Sequence, residues 1–125
     1  MANRARAHIT KEVDVDGVGA VHGVEAAGGK VWFAHGETGE VVAIDQGSGK
    51  RERSLRVPAD AGVAFDGTSL WVAAGGRIRR VDPETGQVLA DLPSPAGEDT
   101  SGVAYHAGSL WVGSYRAKKL YKLDA

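Results

Sequence analysis

Four residues in one short stretch of a 125-residue chain, His22, Glu25, His35 and Glu37, combine the side chains that divalent-metal chemistry needs. Imidazole and carboxylate together suit zinc, manganese, magnesium or calcium, and a partly open shell of such ligands can activate water. Their spacing follows none of the helix-borne metal motifs, so it has meaning only within a fold that brings them together. Three of them have small counterparts elsewhere in the chain, and Glu37 lies in the loop after His35. Ala61 and Ser101 stand where His22 stands, Ala74 and Ser114 match His35, and Ala64 and Ala104 match Glu25. The candidate metal set is therefore a local departure within a repeat.

The repeat is explicit. GVEAAGGKVWFAH (23–35), GVAFDGTSLWVAA (62–74) and GVAYHAGSLWVGS (102–114) are near copies, and Trp32, Trp71 and Trp111 are 39 and 40 residues apart. Each tryptophan lies in an all-apolar run, which marks a strand covered on both faces. Turn signals AAGG, FDGT and HAGS precede these runs, and Asp66-Gly67 is a strong hairpin signal. Further strands are predicted in EVVAID, RIRRVD and KLYKLD, and fourth strands in RERSLRV and QVLADLP. A four-strand unit recurring about every 40 residues predicts an all-β chain of β-propeller blades, at about 22–57, 61–93 and 101–125. No amphipathic helix is expected. The tryptophans are expected to pack between neighbouring blades.

Three blades are too few to close a ring. The segment HITKEVDVDGVGAVHGV (8–24) lines up with QVLADLPSPAGEDTSGV (87–103), so residues 8–15 read as an outer strand. The third repeat stops where its own outer strand would follow. The expectation is a single half-propeller domain over 1–125, closed by a second copy into a six-bladed homodimer. In it the 8–15 strand is exchanged to complete the partner's last blade, and residues 1–7 are disordered. Two-fold closure would repeat every residue that borders the channel.

Antiparallel order then assigns loops to faces. Loops entering the innermost strand, and loops between the second and third strands, share one face, here the top. His22, His35, Glu25 and Glu37 are expected at its channel mouth. Tyr115 and Arg116, from SYRAKK, join them as donors that would hold a carboxylate or phosphate oxygen or a developing oxyanion. Glu98, Asp99, Thr100 and Ser101 lie in another top loop, with Asp60 and Asp16 in the matching loops. His106 falls at a bottom turn, and His8 is given no role.

The pattern GVAxDGxSLWVA…I…VDPETGxVL is similar to a broad propeller group that includes virginiamycin B lyase-like, glutamine cyclotransferase-like and quinoprotein-like repeat proteins. HGVEAAGGKVWFAH most resembles the lyase-like members. That resemblance implies a His and Glu site beside a divalent ion, falling here on His22, His35 and Glu37. Propellers of the gluconolactonase and paraoxonase kind hold calcium with Asn, Asp and Glu. Here Asn3 is the chain's sole asparagine, and the half-length chain departs from all these complete propellers.

Composition narrows the classes. Hydrophobic residues are 42%, charged residues 25% and the formal charge is -1, so a basic nucleic-acid surface is not expected. No apolar run approaches a membrane span, no secretory signal opens the chain, and a cytoplasmic location is the default. Cysteine is absent, which excludes thiolate chemistry, and there is no G-x-S-x-G elbow or phosphate-cradling loop. Two functional readings remain. One is a metal-dependent hydrolase of lactones, esters or phosphotriesters, or a lyase, with His22 or His35 ligating the ion or shuttling a proton. The other is a non-catalytic scaffold that binds a small molecule or peptide at the channel mouth.

Overall fold

The computed structural model describes residues 6–15, 17–35 and 39–125. Eleven strands form three antiparallel sheets, each a meander in chain order. The first holds β1 (His22–Ala27), β2 (Lys30–His35), β3 (Glu40–Asp45) and β4 (Arg51–Leu55). The second holds β5 (Gly62–Phe65), β6 (Leu70–Ala74), β7 (Arg77–Val81) and β8 (Val88–Pro93). The third holds β9 (Thr100–His106), β10 (Ser109–Ser114) and β11 (Lys119–Asp124), and β11 is its outer edge. The sole helical element among the described residues is a 3₁₀ turn at Gly97–Asp99, and no helix there is long and apolar enough to cross a membrane.

The non-alternating strands are what stack the sheets. In β2 and β6 both faces are apolar, so each sheet can bury one face against the sheet before it and one against the sheet after it. Between the first and second sheets, Trp32, Ala34, Val41 and Ala43 meet Val63, Leu70, Val72 and Val81, with Leu55 and Val57 beside them. Between the second and third, Trp71, Ala73 and Ile78 meet Leu110 and Val112, joined by Leu92, Ala96 and Tyr121. Trp32 and Trp71 therefore pack between blades, as the sequence predicts. Burial of side chains of this size contributes roughly 1.5–3 kcal/mol each.

The inner strands approach more closely than any side chain allows. A Cβ on Gly23 would lie 2.8 Å from Gly62 Cα, and one on Gly62 would lie 2.9 Å from Val103 N. Gly23 also has φ +58, a left-handed conformation at the β-bulge between His22 and Val24. Glycine at the head of each repeat thus sets the tight inner rim. Gly102, at the same repeat position, would meet nothing within 4 Å, since among the described residues no sheet packs on that side of the third one.

The Asp66 turn fastens the second sheet. Its carboxylate accepts hydrogen bonds from the Thr68 and Ser69 N–H groups at 2.9 and 2.8 Å, and Oδ2 accepts one from the Trp71 indole at 2.9 Å. Burial works against its ionisation, but these donors outweigh burial and hold the carboxyl below its ordinary value of 3.8.

Residues 8–15 form no strand within the chain. Lys11 donates to the Gln46 and Gly47 carbonyls, and Val15 and Val18 pack on Phe33, Val42 and Ile44 of the first sheet. The expected disorder of residues 1–7 falls, for 1–5, outside the described residues; residues 6 and 7 are exposed.

Two substitutions test these constraints. Gly62→Ala drives a Cβ into the Val103 backbone and is expected to cost about 1–3 kcal/mol in denaturant unfolding. Asp66→Ala should cost about 1–3 kcal/mol at neutral pH. Because the folded pKa is depressed, that difference is full above 3.8 and disappears as pH falls through the depressed value.

Candidate functional site

The candidate residues begin at the end of the first sheet opposite its Gly28-Gly29 turn. His22 opens β1 and His35 closes β2, and the register pairs His22 with Ala34, so both histidines reach the same end. His22 is exposed, on the bulge that Gly23 creates. His35 is 2% exposed, and its Nε2 accepts a hydrogen bond from the Gly19 N–H at 3.0 Å. In this contact Nε2 is the acceptor. The imidazole fastens the incoming segment to the sheet.

Glu25 goes elsewhere. Successive residues of a strand point to opposite faces. The register sets Glu25 opposite Trp32 and Val24 opposite Phe33, so Glu25 shares the Trp32 face while His35 shares the Phe33 face. Glu25 Oε1 accepts from the Phe65 N–H at 3.3 Å, a bond from the first sheet to the second. The expected gathering of Glu25 with His35 is not formed, because the sheet lies between them. Glu37 lies outside the described residues. Among the described residues, no three His, Asp or Glu side chains come together to hold a metal ion.

Tyr115 and Arg116 occupy the β10–β11 loop on the third sheet, on the far side of the second sheet from His22. Tyr115 is 84% exposed, and the Arg116 side chain is 81% exposed with its Nε 3.6 Å from Asp99 Oδ1. The loop is closed by the Ala117 N–H donating to Ser114 Oγ and by Lys118 at φ 55. The donors are thus fully available to solvent but are not joined to the histidines within one chain. His106 ends β9 at the opposite, bottom turn and is exposed.

One feature was not legible as a site in the sequence. Along the outer face of the third sheet runs an apolar groove of about 300 Å³, formed by Ser101, Gly102, Ala104, Trp111, Gly113 and Leu120. Trp111 is 39% exposed here, with Lys122 Nζ 5.9 Å from its ring centroid. The signal was the third tryptophan of the repeat, whose burial depends on whether a sheet follows.

No family model matches the chain, and curated proteins offer no match. Solved structures do. A glutaminyl cyclase from Myxococcus xanthus superposes with a TM-score of 0.68 at 12% identity, over 83% of this chain and 54% of that one. The β-propeller domain of Cps50 (Swd1) from Myceliophteria thermophila gives 0.67 at 16% identity, over 94% and 38%. The computationally designed Ika8 protein gives 0.62 at 21% identity, over 84% and 33%. At these identities the likeness is one of fold: the chain is built of β-propeller blades. It spans about half the length of the cyclase (54%) and less of the others.

His35→Ala removes the acceptor for Gly19 and leaves a hole under residues 17–19. The expected result is a loss of about 1–3 kcal/mol and roughly three- to tenfold faster amide exchange at Gly19. Unchanged exchange would mean that the segment is held by Val15 and Val18 alone.

Proposed function

We propose that two copies of this chain close head to tail into a six-bladed ring, and that the ring is a binding scaffold for a small molecule or peptide at its channel mouth. One observation carries the assembly: the repeat places Trp111 and Gly102 where Trp32, Trp71, Gly23 and Gly62 each meet a following sheet. The third sheet leaves the matching face open, with Trp111 and Leu120 exposed on it. In a second copy, the face that would fit is that of Val24, Phe33 and Ile44. These residues take the positions of Val63, Val72 and Val81, which meet Trp32 in the first junction.

The placement of residues 11–15 and 17–19 supports the exchanged strand. Val15 and Val18 lie on the first sheet much as Leu92 and Ala96 lie against the third. The segment is thereby anchored on its own copy and offers a free backbone edge to the partner's β11, an edge that would otherwise remain an aggregation liability. In the second sheet Arg77 pairs with Pro93 and Arg79 with Asp91, and both arginines bind the Asp91 carboxylate. Carried over by the repeat, this register sets Glu12 in the place of Asp91 and Lys119 in the place of Arg77. Opposite charges meet across the seam.

The scaffold reading follows from what the candidate side chains do. Glu25 bonds the backbone of the next blade and His35 that of the incoming segment, whereas His22 and Tyr115 are exposed at the rim and Arg116 is exposed there beside Asp99. Two-fold closure would present each twice. A metal-dependent hydrolase or lyase is the second reading, favoured by the position of both histidines at one end of the first sheet. A glutaminyl cyclase built from such blades is consistent with chemistry on this fold. A stoichiometric ion in the purified protein, lost in His22→Ala, would move the conclusion to the enzyme.

Sedimentation equilibrium tests the assembly. The expected species has twice the chain mass. Trp111→Glu should weaken association roughly thirtyfold or more, as loss of a central aromatic anchor does. Glu12→Lys and Lys119→Glu should each weaken it, and the double exchange should restore it. A folded wild-type monomer whose Trp111 is quenched by solute would overturn the ring.

A further inference from the structure

Trp32 and Trp71 hold equivalent places in the repeat but differ at the indole nitrogen. The Trp71 N–H donates to the Asp66 carboxylate at 2.9 Å, with Arg80 Nε 3.8 Å from the same oxygen. In the first repeat the position of Asp66 is Ala27. Among the described residues the Trp32 indole N–H has no acceptor. No buried side-chain nitrogen there lacks a partner, so the Trp32 nitrogen must be reached by solvent.

Trp32 also lines a cavity of about 160 Å³ at the bottom of the first junction, as does Ala27 at the Asp66 position. Ala27, Lys30, Trp32, Arg53, Phe65 and Glu84 line it. Two aromatic rings form apolar walls, and two cations stand against one carboxylate. Arg53 is held in place by the Pro83 carbonyl at 2.7 Å and Glu84 Oε2 at 3.1 Å. Lys30 Nζ lies 3.4 Å from Glu52 Oε2 and is one third exposed. Glu84 is the anionic member of the lining, and its side chain is mostly out in solvent.

We propose that this cavity is a binding site for a small organic carboxylate, which takes the place that Asp66 occupies in the next blade. The ligand's carboxylate accepts the Trp32 N–H and lies near Lys30 and Arg53, and its apolar body rests between Phe65 and Trp32. The chain itself provides the precedent, because the same indole position already holds a carboxylate one blade later. The two turns differ in the donors they add. At the first turn Gly28 and Gly29 both have positive φ, whereas at the second Gly67 alone does, so the amides are presented differently. Lysine and arginine replace the two amides that hold Asp66. The volume suits a single aromatic ring, and the site lies wholly within one chain, so it stands or falls independently of ring closure.

The test follows the Trp32 indole N–H signal in nitrogen-15 labelled protein titrated with sodium benzoate, with benzamide as the neutral control. Benzoate is expected to shift Trp32 saturably and leave Trp71 unmoved, and benzamide to do neither. Ala27→Asp supplies the carboxylate from within and should weaken benzoate binding about tenfold or more (at least 1.4 kcal/mol). Lys30→Gln, at a partly exposed position that keeps the fold, should weaken it several-fold. No Trp32 shift through the millimolar range, an equal response to benzamide, or full affinity in either variant would overturn the proposal.

Discussion

The close approach of the inner strands is the constraint on which the rest of the molecule depends. The first and second blades bring their first strands so near the next that a side chain at the head of the strand would enter the neighbouring backbone, as at Gly23 against Gly62. Glycine there lets the sheets converge at the rim and diverge outward, where Trp32 and Trp71 fill the widening gap. A small residue inside and a large one outside make a wedge. Repeating the wedge gives the arc of a propeller.

Polar groups within that arc serve the stacking before they serve chemistry. Buried polar atoms must find partners, and satisfied ones fix geometry. Asp66 gathers two amides and an indole at a turn, Glu25 reaches an amide of the next sheet, and His35 takes an amide of the incoming segment. Each has an acidic or imidazole side chain that sequence inspection readily assigns to catalysis. Each accepts from at least one backbone amide of another segment or turn, and that makes these residues fasteners.

The arc is asymmetric at its two ends. At one end the face of Phe33 and Ile44 is partly covered by residues 15 and 18, and at the other the face of Trp111 and Leu120 is open. The two ends are unlike, and among the described residues β11 is an unpaired outer edge; the proposed head-to-tail ring rests on that difference. The same asymmetry places the rim donors Tyr115 and Arg116 at the open end and His22 at the covered one.

The sequence alone determined the repeat unit and its physical logic. Three glycine-headed strands, three tryptophans and the turn residues between them were enough to read blades, strand order and the burial of Trp32 and Trp71. Their spacing reflects local rules of turn chemistry and two-faced burial. The candidate site was legible only as residue types. That His22 and His35 reach one end of a sheet followed from strand order, but which face each side chain takes did not. The hairpin register pairs Glu25 with Trp32, and His35, three residues beyond Trp32, takes the opposite face of the same sheet. Tertiary packing decided that Glu25 meets the Phe65 N–H of the next sheet, and that Phe65 and Glu84 close a cavity over Trp32. Such outcomes depend on the neighbouring sheet, and no single repeat records what its neighbour brings to the junction.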